Sequence, residues 1–408
     1  MAPPLAGIRI IDLGWIIAGP LATRLLADFG ADVIKVESRR RMDPGRGNRI
    51  PLYGELPGDG NTNPDGGGYF QDVNAGKRSC TLNLGTAEGR ALLRRLVAVS
   101  DAILCNLDGD QLDRWGIDYA SARALNPCIV VVNMPTMASE GPRAQWRGFG
   151  DMIAGAAGLK SVSGNPDDGP LPFGHQYADF SGNPFHGAIA LLAALHHRDI
   201  TGEGQFVEVS QYESTVALLG AAVLQFTAGR ELPRRTGNAD PEAAPHNLYR
   251  CDGEDSWCAI TIFDDAQWRA LIAIDGLEEL RRAEYGTLAG RKRHEAAIDA
   301  VLEAWTATWD RQELAAFLQD RGVPAGPYQR LPEMVGVDPV LGDAYFTRVA
   351  HPAGREFLIH GNPVQSRNSP AEVRRGPLLG EHTFDVLHDL LGIEAGEIAA
   401  YAAGGIIE

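Results

Sequence analysis

The chain has no Cys-x-x-Cys pair, and its five cysteines (Cys80, Cys105, Cys128, Cys251 and Cys258) are an odd number set far apart. That pattern argues against a disulfide framework and predicts reduced, structural thiols. No apolar run approaches the roughly 20 residues of a bilayer-spanning helix, and the opening MAPPLAGIRIIDL lacks a basic flank and a cleavage site, so a cytoplasmic protein with no membrane partner is expected. Cations are also scarce. With 37 Lys and Arg against 53 Asp and Glu, a net charge of −16 repels nucleic-acid phosphates, and a nucleic-acid role would need a localised basic surface. No G-x-G-x-x-G fingerprint, P-loop, Ser nucleophile elbow, internal repeat or low-complexity tract occurs, which removes the main support for a nucleotide-dependent oxidoreductase.

What is present is the composition of an ordinary globular protein of more than one domain: 408 residues, 44% hydrophobic and 22% charged. Ile8 to Leu13 is fit for a buried strand, Leu21, Leu25 and Phe29 mark one face of a helix closed by Gly30, and Ala31 to Val36 reads as the next strand. The first loop of this β-α-β unit ends at Gly19-Pro20 on a helix start, a natural anion site. Further short apolar runs follow at Cys80 to Leu84, Ala102 to Cys105 and Ile129 to Val132, separated by helical stretches, with Thr86 as a helix cap. That alternation predicts an α/β protein with a doubly wound parallel sheet. A run of Arg39, Arg40, Arg41, Arg46 and Arg49 follows the second strand, where open α/β sheets bind ligands.

The segment from Tyr177 to Ser214 places Asp179 just ahead of a helix expected to start at Asn183-Pro184 and to run to about Arg198 before Thr201-Gly202 stops it. A carboxylate at that place is either a helix-start residue or a partly desolvated nucleophile flanked by Tyr177 and Phe180. His196 and His197 are helix neighbours that point apart and make no two-His metal face, so no metal site is expected; His175 and His186 read as structural. Ser210 to Ala228 reads as one long helix, Leu232 to Pro245 as a linker or flap, and Trp257 to Ile262 as a strand before a helix capped by Asp264 or Asp265.

The motif Tyr177-Ala178-Asp179, a small-residue turn, Ala190 to Leu195, Arg198, Thr201 to Gln205 and Val207 to Ser210 resembles the family III CoA-transferases. The opening LAGIRIIDLGWIIAGPLATRLLADFGADVIKVE, Asn74 to Ser79, Gly322 to Pro327 and Gly380 to Thr383 match the same family, so the resemblance covers nearly the whole chain. It implies that Asp179 is the nucleophile. It also implies that CoA lies along Ile17, Ala18, Arg39 or Arg40, Lys77, Arg78, Asn106 and Arg114, with Trp15, Gly148 and Gly150 lining an acceptor pocket. The chain departs from the family pattern at Ser38, where a basic residue is common, and at Cys105, Leu107 and Asp108 around Asn106. Racemases of the same superfamily have a His where this chain has Gly150, which disfavours racemase chemistry. The Met134-Pro135, Gly141-Pro142 and Gly148-Phe149-Gly150 pattern resembles the branch acting on larger acids such as benzylsuccinate, and Gly148 and Gly150 are expected to leave space beside the carboxylate.

The resemblance further implies a Rossmann-like large domain over 1–228, a linker and small α+β domain over 229–330, and a segment 331–408 that returns to the large domain. Members of the family are intertwined homodimers, so that partner is expected here. The implied reaction moves CoA from an acyl-CoA to a free acid through a mixed anhydride and an aspartyl-CoA thioester, with CoA as substrate and no resident cofactor. An α-methylacyl-CoA racemase-like enzyme and a non-catalytic CoA-binding homologue are the alternatives.

Overall fold

The computed structural model describes residues 2–46, 63–107, 110–174, 176–229, 232–352 and 354–408. Arg49, Asp108, His175 and most of the Gly- and Pro-rich stretch after the arginine run lie outside the described residues.

The chain divides into two compact units. One comprises Met1–Leu159, Pro172–Gly229 and Asp343–Glu408, and the other Lys160–Leu171 and Arg230–Gly342. Two segments therefore join the second unit from outside the 229–330 span. Residues 331–342 stay with it because Glu333 pairs with Arg311, and 160–171 because the Gly237 N–H donates to Gly164 O at 2.9 Å.

The first unit is built on six parallel strands: β1 (Arg9–Asp12), β2 (Asp32–Glu37), β3 (Arg78–Thr81), β4 (Ala102–Cys105), β5 (Val130–Asn133) and β6 (Phe206–Glu208). Their order is β3-β2-β1-β4-β5-β6, with Ile11 opposite both Ile34 and Ile103. The order reverses between β1 and β4, and in such sheets ligands bind outside the carboxyl ends of the strands at that reversal. The central strands are wholly buried, as strands covered on both faces by helices must be.

Helix α1 (Ala18–Ala27) follows β1, α2 (Gly68–Val73) precedes β3, and α3 (Ala87–Ala98) starts at Thr86, whose side chain accepts from Gly89 N–H. Then come α4 (Gln111–Trp115), α5 (Tyr119–Leu125), α6 (Gly150–Ala156), α7 (Tyr177–Phe180) and α8 (Gly182–Thr201). One face of the sheet packs Leu92, Leu93 and Leu96 of α3, and Val386, Leu387 and Ile398 from the end of the chain. The other packs Ala22, Leu25 and Leu26 of α1 against Leu191 and Leu195 of α8. Helix α8 begins two residues earlier than a cap at Asn183 with Pro184 as first helical residue would give, and ends at Gly202 in the left-handed conformation. The expected long helix over Ser210 to Ala228 is two: α9 (Gln211–Ala217), capped by Ser210, and α10 (Gly220–Thr227). Gly220, a poor helix former, sits at the break.

In the second unit β7 (His246–Arg250), β8 (Trp257–Thr261) and β9 (Ala325–Pro327) form an antiparallel sheet. It packs on α11 (Asp265–Ile272), α13 (Glu295–Thr306) and α14 (Arg311–Gln319), with the short α12 (Leu288–Arg293) between α11 and α13. Trp268, Leu271, Ile298, Leu302 and Leu314 fill this core. Asp264 caps α11 by accepting from Ala266 and Gln267 N–H, the first of the two expected caps.

Candidate active site

The loop after β1 is held by side chains at every polar backbone group of three consecutive residues. Gly14 N–H donates to Asp12 Oδ1 at 2.7 Å and Gly14 O accepts from Lys35 Nζ at 2.6 Å. The Trp15 N–H donates to Asn106 Oδ1 at 2.7 Å, and Asn106 Nδ2 returns a bond to Trp15 O at 2.9 Å. The Ile16 N–H donates to Asp43 Oδ1 at 3.2 Å and Ile16 O accepts from Tyr69 OH at 3.2 Å. Ile16 has φ +64°, a left-handed conformation that costs a β-branched residue about 1–3 kcal/mol and persists only when its surroundings over-determine it. The result is a fixed loop that delivers Ile17 and Ala18 to the wall of a cleft at the start of α1.

Beneath the loop lies a buried set of charges. Lys77 Nζ meets Asp12 Oδ2 at 2.6 Å, Pro20 O at 2.7 Å and Asn74 Oδ1 at 2.8 Å, and Lys35 pairs with Asp43 at 3.1 Å. Burial raises the cost of charging Asp12, yet Lys77 and Lys35 outweigh it and hold its carboxyl below the usual range. Burial pushes Lys77 down to about 8 despite its partner, which still leaves it protonated at neutral pH.

The cleft measures about 500 Å³. Asp179 stands on its wall, on α7, only 8% exposed. Its Oδ1 accepts from Asn183 Nδ2 on α8 at 3.1 Å, and it also accepts from the Gly150 N–H at the start of α6. Burial wins over these two bonds and lifts its carboxyl to about 6. At neutral pH this is an ionised carboxylate that is poorly solvated, a state suited to nucleophilic attack. Asp179 does not cap α8; neither does Asn183, whose amide is turned to Asp179, and the capping position Ser181 makes no side-chain bond to the helix.

Of the residues singled out in the sequence, Trp15, Ile17, Ala18, Asn106, Arg114, Gly148, Gly150 and Asp179 all line this one cleft. Four others do not. Lys77 is spent on the interior pair with Asp12, and Arg78 pairs with Asp32 at 3.2 Å. Arg39 donates its backbone N–H to the Glu408 carboxylate, and the exposed Arg40 guanidinium lies 3.4 Å from the same carboxylate. The space expected beside Gly150 is taken by the Asp179 carboxylate, and a β-carbon at Gly148 would lie 2.1 Å from the Met152 methyl. His186 bonds Gly182 O at 2.7 Å and Ser214 Oγ at 2.9 Å, the structural role expected of it.

Sequence reasoning missed Arg147 and Gln211, read Asn183 only as a helix start, and named Arg41, whose guanidinium lies 4.8 Å from the Trp15 ring centre, only as one of the arginine run. Arg41 belongs to the visible arginine run, and Asn183 is a polar residue four positions after Asp179. Gln211 carried no local signal, because only the fold brings it near Asp179.

The CoA-transferase family III model matches residues 5–383. The chain is 33% identical over 397 residues to the succinate–glutarate CoA-transferase of Agrobacterium fabrum, covering 96% of this chain and 97% of that one. It is 31% identical over 407 residues to the succinyl-CoA–D-citramalate CoA-transferase of Chloroflexus aurantiacus, covering 99% and 98%. The crystal structure of a CAIB/BAIF family protein from Brucella suis superposes with a TM-score of 0.84 at 32% identity, over 96% of this chain and 100% of that one. A match this complete in sequence and fold makes the chain a member of CoA-transferase family III.

Proposed function

We propose that the protein transfers CoA from an acyl-CoA to a free carboxylic acid with Asp179 as the nucleophile. The observation that carries this reading is a single buried carboxylate, raised to about 6, on the wall of a cleft edged by Arg41, Arg114 and Arg147. An Asp179 oxygen adds to the donor thioester carbonyl; the C–S bond breaks and CoA leaves as thiolate, giving a mixed anhydride. The thiolate adds to Asp179 Cγ, and the donor acid leaves with the bridging oxygen, giving an enzyme thioester. The acceptor carboxylate repeats these steps in reverse, so the thioester energy is conserved without ATP. Exclusion of water is the protein's task, since both intermediates hydrolyse.

Succinyl-CoA as donor and a four- or five-carbon dicarboxylic acid as acceptor are the substrates best supported. The curated relatives include enzymes named for succinate and glutarate, D-citramalate and mesaconate. Arg41 and Arg147 supply exposed cations on the cleft for a second carboxylate. CoA phosphates would meet Arg114 at the reversal point of the sheet. The working form is a homodimer: α8 and α10 expose Ile189, Leu224 and Phe226, an apolar surface of the kind that association covers.

An exchange assay tests this reading. Succinyl-CoA incubated with a panel of acids, including glutarate, mesaconate, a benzyl-substituted succinate and oxalate, is followed by mass. Transfer to glutarate and mesaconate in preference to oxalate is expected. Hydroxylamine added with succinyl-CoA should place a hydroxamate on the peptide containing Asp179. Modification elsewhere, or no exchange with any acid, would count against it.

A further inference from the structure

Four residues beyond Asp179, in the first turn of α8, Asn183 is wholly buried, yet its side chain neither caps α8 nor reaches solvent. Its Nδ2 has two hydrogens and two acceptors: Asp179 Oδ1 at 3.1 Å and Gln211 Oε1 at 3.5 Å. Gln211 cannot turn its amide around, because its Nε2 donates to Met134 O at 2.8 Å at the end of β5. The direction of the whole chain is thus set by a backbone carbonyl just past β5: Met134 O fixes Gln211, Gln211 fixes Asn183, and Asn183 presents N–H to Asp179. The Asn183 Oδ1 has no partner among the described residues, so the amide is kept this way round by its nitrogen alone.

We propose that Asn183 is a catalytic residue whose Nδ2 holds Asp179 Oδ1, leaves Oδ2 as the attacking oxygen, and stabilises the negative charge that collects on Oδ1 during acyl transfer at the Asp179 carbonyl. The inference rests on Asp179 as the nucleophile. When CoA thiolate adds to Asp179 Cγ, the C=O electron pair moves onto Oδ1; when the intermediate collapses, that pair returns and the Cγ–Oδ2 bond breaks. Oδ1 therefore never leaves the enzyme, and a donor fixed against it serves each tetrahedral intermediate formed at Cγ. A donor already in place costs no reorganisation at the moment the charge forms. Gln211 acts one step removed, as a positioning residue.

Among the described residues, the groups that bond Asp179 are Asn183 on α8 and the Gly150 N–H on α6, with Gln211 on α9 behind Asn183. Arg41, Arg114 and Arg147 stand on the cleft walls, and His186 is engaged with Gly182 O and Ser214. Because Asn183 donates to the ionised form, its removal should move the acid limb of the pH profile upward.

The experiment compares Asn183→Ala, the similarly sized Asn183→Leu, and Asp179→Ala in the full-length protein. Expected for both Asn183 variants is a fall in kcat of about 10²–10³, the usual loss of one oxyanion donor, with CoA affinity and KM within about threefold of the parent and the acid limb of kcat/KM displaced to higher pH. Asn183→Leu keeps the core filled, so a packing role alone would leave its kcat and pH limb near those of the parent, and that result overturns the proposal. A loss confined to KM overturns it as well. If Asp179→Ala is inactive while the Asn183 variants keep near-normal kcat, only the role of Asn183 fails. If Asp179→Ala remains active, the nucleophile reading fails, and the role of Asn183 fails with it.

Discussion

The carboxylate of Asp179 fills the space that a side chain at Gly150 would need: a β-carbon there would lie 2.1 Å from Asp179 Oδ2 and 2.8 Å from Oδ1. The glycine is thus a steric condition for this carboxylate position, and its N–H is one of the bonds that hold it. Gly150→Ala should fold, since the clash is with one side chain at a cleft wall, but should lose exchange activity by about 10²-fold through displacement of the nucleophile. Exchange rates and circular dichroism on the purified variant test this. Activity within threefold of the parent would mean that the carboxylate has another productive position.

Asp179 should lower stability at the pH where it works. Its carboxyl titrates near 6 in the folded protein against 3.8 when unperturbed, so between those values the folded state holds a proton that the unfolded chain has lost. Its contribution to stability is therefore full below about pH 4 and is lost as the pH rises through about 6. Asp179→Asn should be inactive yet more stable than the parent by about 1–2 kcal/mol at pH 7.5, with the gap closing toward pH 4. Urea unfolding at the two pH values measures it; a variant less stable at pH 7.5 would contradict the burial argument.

Lys77 and Arg114 should separate stability from binding. Lys77→Met leaves the buried Asp12 carboxylate without its ion-pair partner beneath the cleft loop and should cost about 3–5 kcal/mol of stability. Arg114 is exposed and, among the described residues, pairs with the exposed Asp110 at 2.9 Å, so Arg114→Ala should leave stability nearly unchanged and weaken CoA binding by about 1–2 kcal/mol. Thermal melting and CoA titration calorimetry on the pair decide between these roles. The reverse assignment of effects would return Lys77 to the CoA site.

Asn106→Ala should loosen the cleft loop, because both polar groups of Trp15 lose their partner at once. About 2 kcal/mol of stability is expected to go, with weaker CoA binding at the adjoining Ile17 and Ala18. Asn106→Asp keeps the acceptor for Trp15 N–H but loses the donor to Trp15 O, and should fall between parent and Ala by the same urea titration.

The contrast between Asn183 and Thr86 explains what was legible. Both are polar residues at a helix start, and both read as caps. Thr86 is one, because its oxygen needs only the Gly89 N–H, three residues on, which the helix itself supplies. Asn183 had the same local choice and took another, because a buried carboxylate four residues back and Gln211 from a distant helix were stronger partners. The arginine run divides in the same way. Its charge was visible, but whether Arg40 faces Glu408 or Arg41 faces Trp15 and the cleft depends on a segment far along the chain and on the turn of a short helical stretch.

By itself the sequence determined the parallel sheet, since strands covered on both faces must be continuous apolar runs, and it determined the family and the place of Asp179, since that motif is nearly contiguous. Only the tertiary structure decided which polar groups reach the cleft. Lys77 and Asp12 are 65 residues apart and Asn183 and Gln211 are 28 apart. Whether a charge ends in water, in an ion pair or against a reacting carboxylate is set by distances of a few ångströms across such separations, and hydrophobic pattern carries no record of them.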